Sequence, residues 1–147
     1  VIHKATEADI LEIVGRGYLF HQSDDAASCV PYDPESVVDF TMNCIDNGVF
    51  LLSDDGMIAG TVVPMFYNAS FYVMVEQVWF TPTGDKGLLA RFEEEAKALG
   101  ARALYLSHFH HKRLNVMQRF LRARGYTPHE HLYMKAFSDS TNNRSGN

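Results

Sequence analysis

Residues 71–135 carry an order of patterns that few folds can accommodate. A strand-like run from Phe71 to Thr81, closed by Pro82, leads into a short glycine-containing loop, Thr83-Gly84-Asp85-Lys86-Gly87. An amphipathic helix is predicted over Leu88–Leu99: Leu88, Leu89, Phe92, Ala96 and Leu99 share one face, Arg91, Glu94 and Lys97 lie off it, and Gly100 closes it. An apolar strand over Arg102–Phe109 comes next. A second helix then ends at Gly125, with Leu114, Met117, Phe120 and Leu121 on one face, and a last strand holds Tyr133 and Lys135. A strand that stops at a glycine loop and a helix N-terminus is a ready anion site, because free backbone N–H groups point outward there.

The first half supplies the remaining layers. Ile2–Ala5 reads as a short strand. Thr6 with Asp9 three residues later is a near capping box, and Ile10, Ile13, Val14 and Tyr18 continue at helical spacing, which predicts a helix over Glu7–His21. After a polar, acidic connection, Asp33-Pro34 is an N-cap followed by proline at the first helical position, opening a helix to about Asp46 that Gly48 terminates. Val49–Ser53 and Met57–Phe66 are strands around the hairpin signal Asp54-Asp55-Gly56, and Tyr67–Ser70 is a second turn. The expected order is β-α-α-β-β-β-α-β-α-β, a mixed sheet with helices packed against it.

Composition bounds the alternatives. The 147 residues are 46% hydrophobic and 21% charged with a net charge of −5, which fits one globular domain and argues against general nucleic-acid or anionic-membrane binding. No run approaches the roughly 20 apolar residues of a membrane span, and the first residues show no signal-peptide core, so a cytoplasmic setting is expected. Cys29 and Cys44 lack metal spacing and are expected as separate thiols, with a disulfide between them as the alternative. A single domain is expected over residues 1–137. Residues 138–147 contain no apolar side chain and read as a tail.

Glu76 is the candidate for chemistry. Strict alternation along the Phe71–Thr81 strand puts Met74, Glu76, Val78 and Phe80 on one face and Val75, Gln77 and Trp79 on the other. A carboxylate among apolar neighbours on a central strand is raised in pKa by burial, as a general base for an ammonium substrate requires. The plain alternative is a structural carboxylate held by a backbone N–H or an arginine. His108, His110 and His111 lie at the C-terminal end of a strand, where open α/β sheets build sites. No cysteine or nearby carboxylate completes a ligand set, so no metal is expected, and His108 is read as a polar wall. Asp24, Asp25 and Asp33 read by default as a solvated acidic loop, with attraction of an amine substrate as the functional alternative.

From Ile2 to Phe137 this order resembles the GCN5-related N-acetyltransferases, the GNAT family. The resemblance implies a central strand splayed from the next parallel strand, with acetyl-coenzyme A in the gap. Pantetheine would pair with the backbone of Val78, Trp79 and Phe80, and the pyrophosphate would rest on Gly84, Lys86, Gly87 and Leu88. It implies acetyl transfer to an amine, Glu76 as base, and a tendency to dimerise. The chain departs from the family in two places. The loop is shorter than usual and puts Asp85 where a diphosphate should lie, so weak binding is expected. Leu121 stands where a tyrosine often protonates the departing thiolate. Tyr126 and Tyr133 are substitutes to consider. A looser resemblance to small GNAT-like proteins of tailed bacteriophages implies the alternative of a non-catalytic binding or virion component.

Overall fold

The computed structural model describes residues 1–24, 27, 29–109 and 113–137. Two compact units divide the chain, Val1–Phe109 and His110–Asn147. The first is built from β1 (His3–Lys4), a 3-10 turn (Glu7–Asp9), α1 (Ile10–Ser23), α2 (Pro34–Asn47), β2 (Gly48–Leu52), β3 (Met57–Met65), β4 (Asn68–Phe80), α3 (Leu88–Ala98) and β5 (Ala103–Tyr105). The second contains α4 (Leu114–Ala123).

Among the described residues, five strands form one sheet in chain order, antiparallel throughout except for the parallel pair β4–β5. The turns follow the local chemistry. The Asp9 carboxylate accepts from the Thr6 N–H at 2.8 Å, and the Asp33 side chain accepts from the Ser36 N–H at 3.3 Å to start α2 at Pro34. At the β2–β3 turn the Ser53 N–H donates to the Gly56 carbonyl and the Gly56 N–H to Ser53 Oγ, at 3.0 and 2.9 Å.

Cross-strand register sorts the sheet into two faces. Phe50, Leu52, Met57, Ala59 and Val78 share one face and pack with Ile13 and Cys44 of α1 and α2, with Phe20, Val37, Phe40 and Phe80 around them. Val49, Leu51, Ile58 and Met74 point the other way, toward the face that α3 covers with Leu88, Leu89, Phe92 and Ala96. Phe92 is fully buried there, and trimming such a side chain to alanine costs about 3–5 kcal/mol. Cys44 lies in the core, where burial pushes its thiol up to about 11, while Cys29 is exposed, and no disulfide joins them.

The structure corrects three expectations. β4 begins at Asn68, because the reversal is made by Phe66 and Tyr67 alone, not by residues 67–70. β5 spans three residues, not the eight from Arg102 to Phe109, for a reason that lies at Glu76. Residues 126–137 form neither helix nor strand, so the last strand around Tyr133 and Lys135 is absent among the described residues. A strand exists only by pairing, and Pro128 followed by His129, Glu130 and His131 leaves a short apolar run to drive it. The predicted tail, residues 138–147, lies outside the described residues. No helix among the described residues is long and apolar enough to cross a membrane.

Candidate functional site

The site begins with a register shift. Ala59 pairs with Val78, but Gly60 pairs with Glu76, so Gln77 is an extra residue in β4, a β-bulge. The bulge reverses the alternation beyond it. Glu76 shares a face with Met74 and Trp79, whereas Val78 and Phe80 turn to the face of Val73 and Val75. The expected set Met74, Glu76, Val78 and Phe80 is therefore split between the two faces. Simple period-2 reading fails here because a bulge shifts the phase by one.

The same distortion opens the sheet. β5 pairs with β4 only at Val73–Ala103, Met74–Leu104 and Val75–Tyr105. Beyond Val75, β4 continues along β3 while its ladder to β5 stops, and among the described residues the two parallel strands fork toward the Pro82 end. Glu76 sits at the fork. Its Oε2 accepts from both the backbone N–H and the hydroxyl of Ser107, each at 3.1 Å. The Ser107 N–H thus goes to a side chain instead of to a β4 carbonyl, which ends β5 early. Glu76 is 8% exposed, and burial raises its pKa to about 7, against the opposing pull of the two Ser107 bonds.

On the other face a cavity of about 520 Å³ lies between α1, α2 and β4. Its floor includes Ile13, Phe40 and Val78, and His21, Asp24 and Tyr32 contribute polar groups. It reaches β4 at Gln77 and Val78, the two residues after Glu76. Asp33 also lines it, but that carboxylate is engaged with Ser36 at the start of α2.

The loop before α3 is wound tightly, with positive φ at Gly84 (109°), Lys86 (51°) and Gly87 (93°). Asp85 organises it. The N–H groups of Gly87 and Leu89 donate to its carboxylate at 3.2 and 3.0 Å, and the Leu88 N–H donates to its carbonyl at 3.0 Å. The Trp79 indole N–H reaches the same carboxylate at 3.3 Å. The Lys86 ammonium lies 3.8 Å from Asp55, whose other oxygen accepts from the Thr83 hydroxyl.

The residues expected to hold a cofactor are thus divided. Val78 and Phe80 belong to the core, Phe80 against the Phe20 ring at 6.1 Å, while their backbone borders the fork. Trp79 lies on the Glu76 face beside Asp85. Gly84, Lys86 and Gly87 shape the loop, and Leu88 is fully buried at the start of α3. His108 follows Ser107, its Nδ1 3.1 Å from the Phe109 carbonyl, while Asp25, His110 and His111 lie outside the described residues.

Two residues escaped the sequence reading. Ser107 ends an apolar strand, and a small hydroxyl at that position is the only signal it gives. Arg16 is buried on α1 and donates to the carbonyls of Ser53 (2.9 Å), Asp54 (2.8 Å) and Gly56 and to the Glu12 carboxylate, pinning the β2–β3 turn beneath the loop. Helical spacing places it next to apolar positions, but nothing local signals its burial.

No family model matches the chain, and no curated protein matches it by sequence. Solved structures do. A ribosomal-protein-alanine N-acetyltransferase from Brucella melitensis biovar Abortus 2308 superposes with a TM-score of 0.64 at 11% identity, over 93% of this chain and 99% of that one. A predicted acetyltransferase from Clostridium acetobutylicum, solved with acetyl-coenzyme A, gives 0.65 at 15% identity, over 92% and 95%. A protein named as a transcriptional regulator from Bacillus halodurans C-125 gives 0.66 at 19%, over 92% and 99%. At these identities the likeness is one of architecture. The forked parallel pair, the bulge beside it and these neighbours agree: the chain has the fold of the GCN5-related N-acetyltransferases.

Proposed function

We propose that the protein is an acyltransferase that moves an acetyl group from a thioester to an amine, with Glu76 as general base. The observation that carries this reading is a buried carboxylate with a pKa of about 7 at the fork of the two parallel strands. Near neutral pH about half of such a group is ionised and can take a proton from an ammonium. That is the balance general base catalysis favours. The deprotonated amine then attacks the thioester carbon. A C–N bond forms, the C–S bond breaks, and the sulfur leaves as thiolate while the remaining ammonium proton goes to solvent. Among the described residues β5 pairs with β4 no further than Val75, so the backbone of Gln77, Val78 and Phe80 could meet an extended, amide-containing arm such as pantetheine. The acceptor amine would meet the base at the fork; the cavity beside Gln77 lies on the opposite face of the sheet from Glu76.

Acetyl-coenzyme A fits at one end only. The fork suits the acyl group and pantetheine, whereas the amides that should meet the diphosphate already bond to Asp85.

Thiol release from acetyl-coenzyme A and from S-acetylpantetheine, measured with a panel of small amines and N-terminal peptides, tests the proposal. Glu76-dependent release with at least one acceptor is expected. Release from neither donor with any acceptor would favour the second reading, a non-catalytic binding protein on this fold, to which the bonded state of the α3 amides and Leu121 in place of a tyrosine both point.

A further inference from the structure

A helix of 11 residues such as α3 normally presents its first N–H groups to whatever anion approaches. In this chain three consecutive amides, those of Gly87, Leu88 and Leu89, all bond to Asp85, two of them to its carboxylate. An ionised carboxylate is a pure acceptor with two oxygens, as each half of a diphosphate is, so it satisfies the same donors. The indole N–H of Trp79 holds it from the side, and the positive φ of Gly84, Lys86 and Gly87 curls the loop so that the carboxylate faces the helix. The nearby cation does not compensate, because Lys86 lies against Asp55. A diphosphate could enter only by displacing Asp85 from its bonds and then lying beside it and Asp55 as like charges.

We infer that Asp85 fills the anion position at the start of α3 from within the chain, and that the donor is a pantetheine thioester recognised without a diphosphate. The second half of this statement rests on the transferase reading; the first half does not. The specificity follows from chemistry already described. Backbone of β4 beyond its last β5 pair, at Gln77, Val78 and Phe80, can pair with the amides of pantetheine, and among the described residues nothing at α3 rewards the nucleotide end. Asp85 is a specificity-determining residue, and its effect is occupation more than repulsion, since asparagine would keep an oxygen acceptor for the same amides.

Two measurements on the full chain test this separately. In the first, ¹⁵N-labelled protein is titrated with sodium pyrophosphate to millimolar concentration at constant ionic strength. The Gly87 and Leu89 amide resonances of the wild type and of Asp85→Asn should move no more than with sodium chloride, whereas Asp85→Gly should show saturable shifts at both. Saturable shifts in the wild type would overturn the inference even if Asp85→Gly failed to fold. Their absence in a folded Asp85→Gly would overturn it as well. In the second, kcat/KM is compared for S-acetylpantetheine and acetyl-coenzyme A. The two should agree within about threefold for the wild type, and Asp85→Gly should favour acetyl-coenzyme A by tenfold or more. A wild type that prefers acetyl-coenzyme A by tenfold or more would overturn the donor assignment. Turnover of neither donor would remove both the transferase reading and the donor assignment, leaving the amide titration to decide the role of Asp85.

Discussion

Ser107 gives both its backbone N–H and its hydroxyl to one oxygen of Glu76, each at 3.1 Å, across the point where β4 and β5 part. This single relationship ends a strand, fixes a buried carboxylate and partly offsets its desolvation. Burial raises the pKa and the two donors lower it, and the result near 7 is a compromise between them. The carboxylate is therefore positioned and tuned by the same two bonds.

Replacing Glu76 with glutamine should lower kcat by about 10²–10⁴-fold near neutral pH, the range expected for losing a general base. Wild-type kcat/KM should rise with pH through a single step near 7, as Glu76 ionises, and the variant should lose that step. Steady-state kinetics between pH 5 and 9 checks both. Unchanged turnover in the variant would assign Glu76 a structural role.

Ser107→Ala removes the hydroxyl donor and leaves the backbone N–H. A hydrogen bond to a charged group is worth roughly 1.5–3 kcal/mol and one pKa unit is about 1.4 kcal/mol, so the Glu76 step should move up by about one to two units. Turnover at pH 7 should fall while turnover at pH 9 recovers toward wild type. Ser107→Thr keeps a hydroxyl and should restore the lower step. A profile unmoved by Ser107→Ala would mean the hydroxyl has no hold on the base.

How far these features were readable from sequence depends on the range of the forces involved. Element order came through for β1 to α4 because amphipathic periodicity and turn residues act locally. Leu88, Phe92 and Ala96 announce α3, and Asp33-Pro34 announces α2. Glu76 stood out as a carboxylate in an apolar run, and its burial is what that context implies. The side it faces was misread, because the bulge at Gln77 is set by Gly60 on the neighbouring strand, which no pattern within β4 encodes. Ser107 was missed for the same reason, since its partner lies 31 residues away. Asp85 was recognised as a charge out of place, but its bonds to Gly87 and Leu89 depend on loop dihedrals that composition does not specify.

The raised pKa of Glu76 also makes stability depend on pH. The unfolded chain ionises this group at about its ordinary value of 4.5, the folded protein only near 7, so between these values the native state holds more protons. The Glu76 contribution is fully present below 4.5, falls as pH rises to 7, and is lost above it, a change on the order of 3 kcal/mol. Glu76→Gln resembles the protonated form and should remove that slope. Urea unfolding should find the variant close to wild type at pH 4.5 and more stable at pH 8. A variant less stable than wild type at pH 8 would contradict the assignment of a destabilising buried charge.

Gly60 faces Glu76 across the β3–β4 ladder, on the strand opposite the bulge. A Cβ added there would lie 2.2 Å from the Val75 carbonyl oxygen, 3.0 Å from its carbon and 3.1 Å from the Glu76 Cα. All three are backbone atoms of β4, so no side-chain rotation can relieve the contact, and β4 itself must shift. Overpacking of this kind costs typically 1–3 kcal/mol and occasionally more. Gly60→Ala should therefore lower the melting temperature by about 3–10 °C in a domain of this size. Because the displaced segment carries Glu76, turnover should fall by more than the loss of folded protein accounts for. Gly15→Ala is the matching control. Gly15 is exposed on α1, and a Cβ there would meet nothing within 4 Å. Alanine at that site should stabilise by about 0.4–1 kcal/mol through helix propensity and a less flexible unfolded chain. Thermal unfolding and single-turnover rates for both variants check the pair. A Gly60→Ala protein with wild-type melting temperature and rate would show that β4 can move freely past β3, and that the bulge does not hold Glu76 in place.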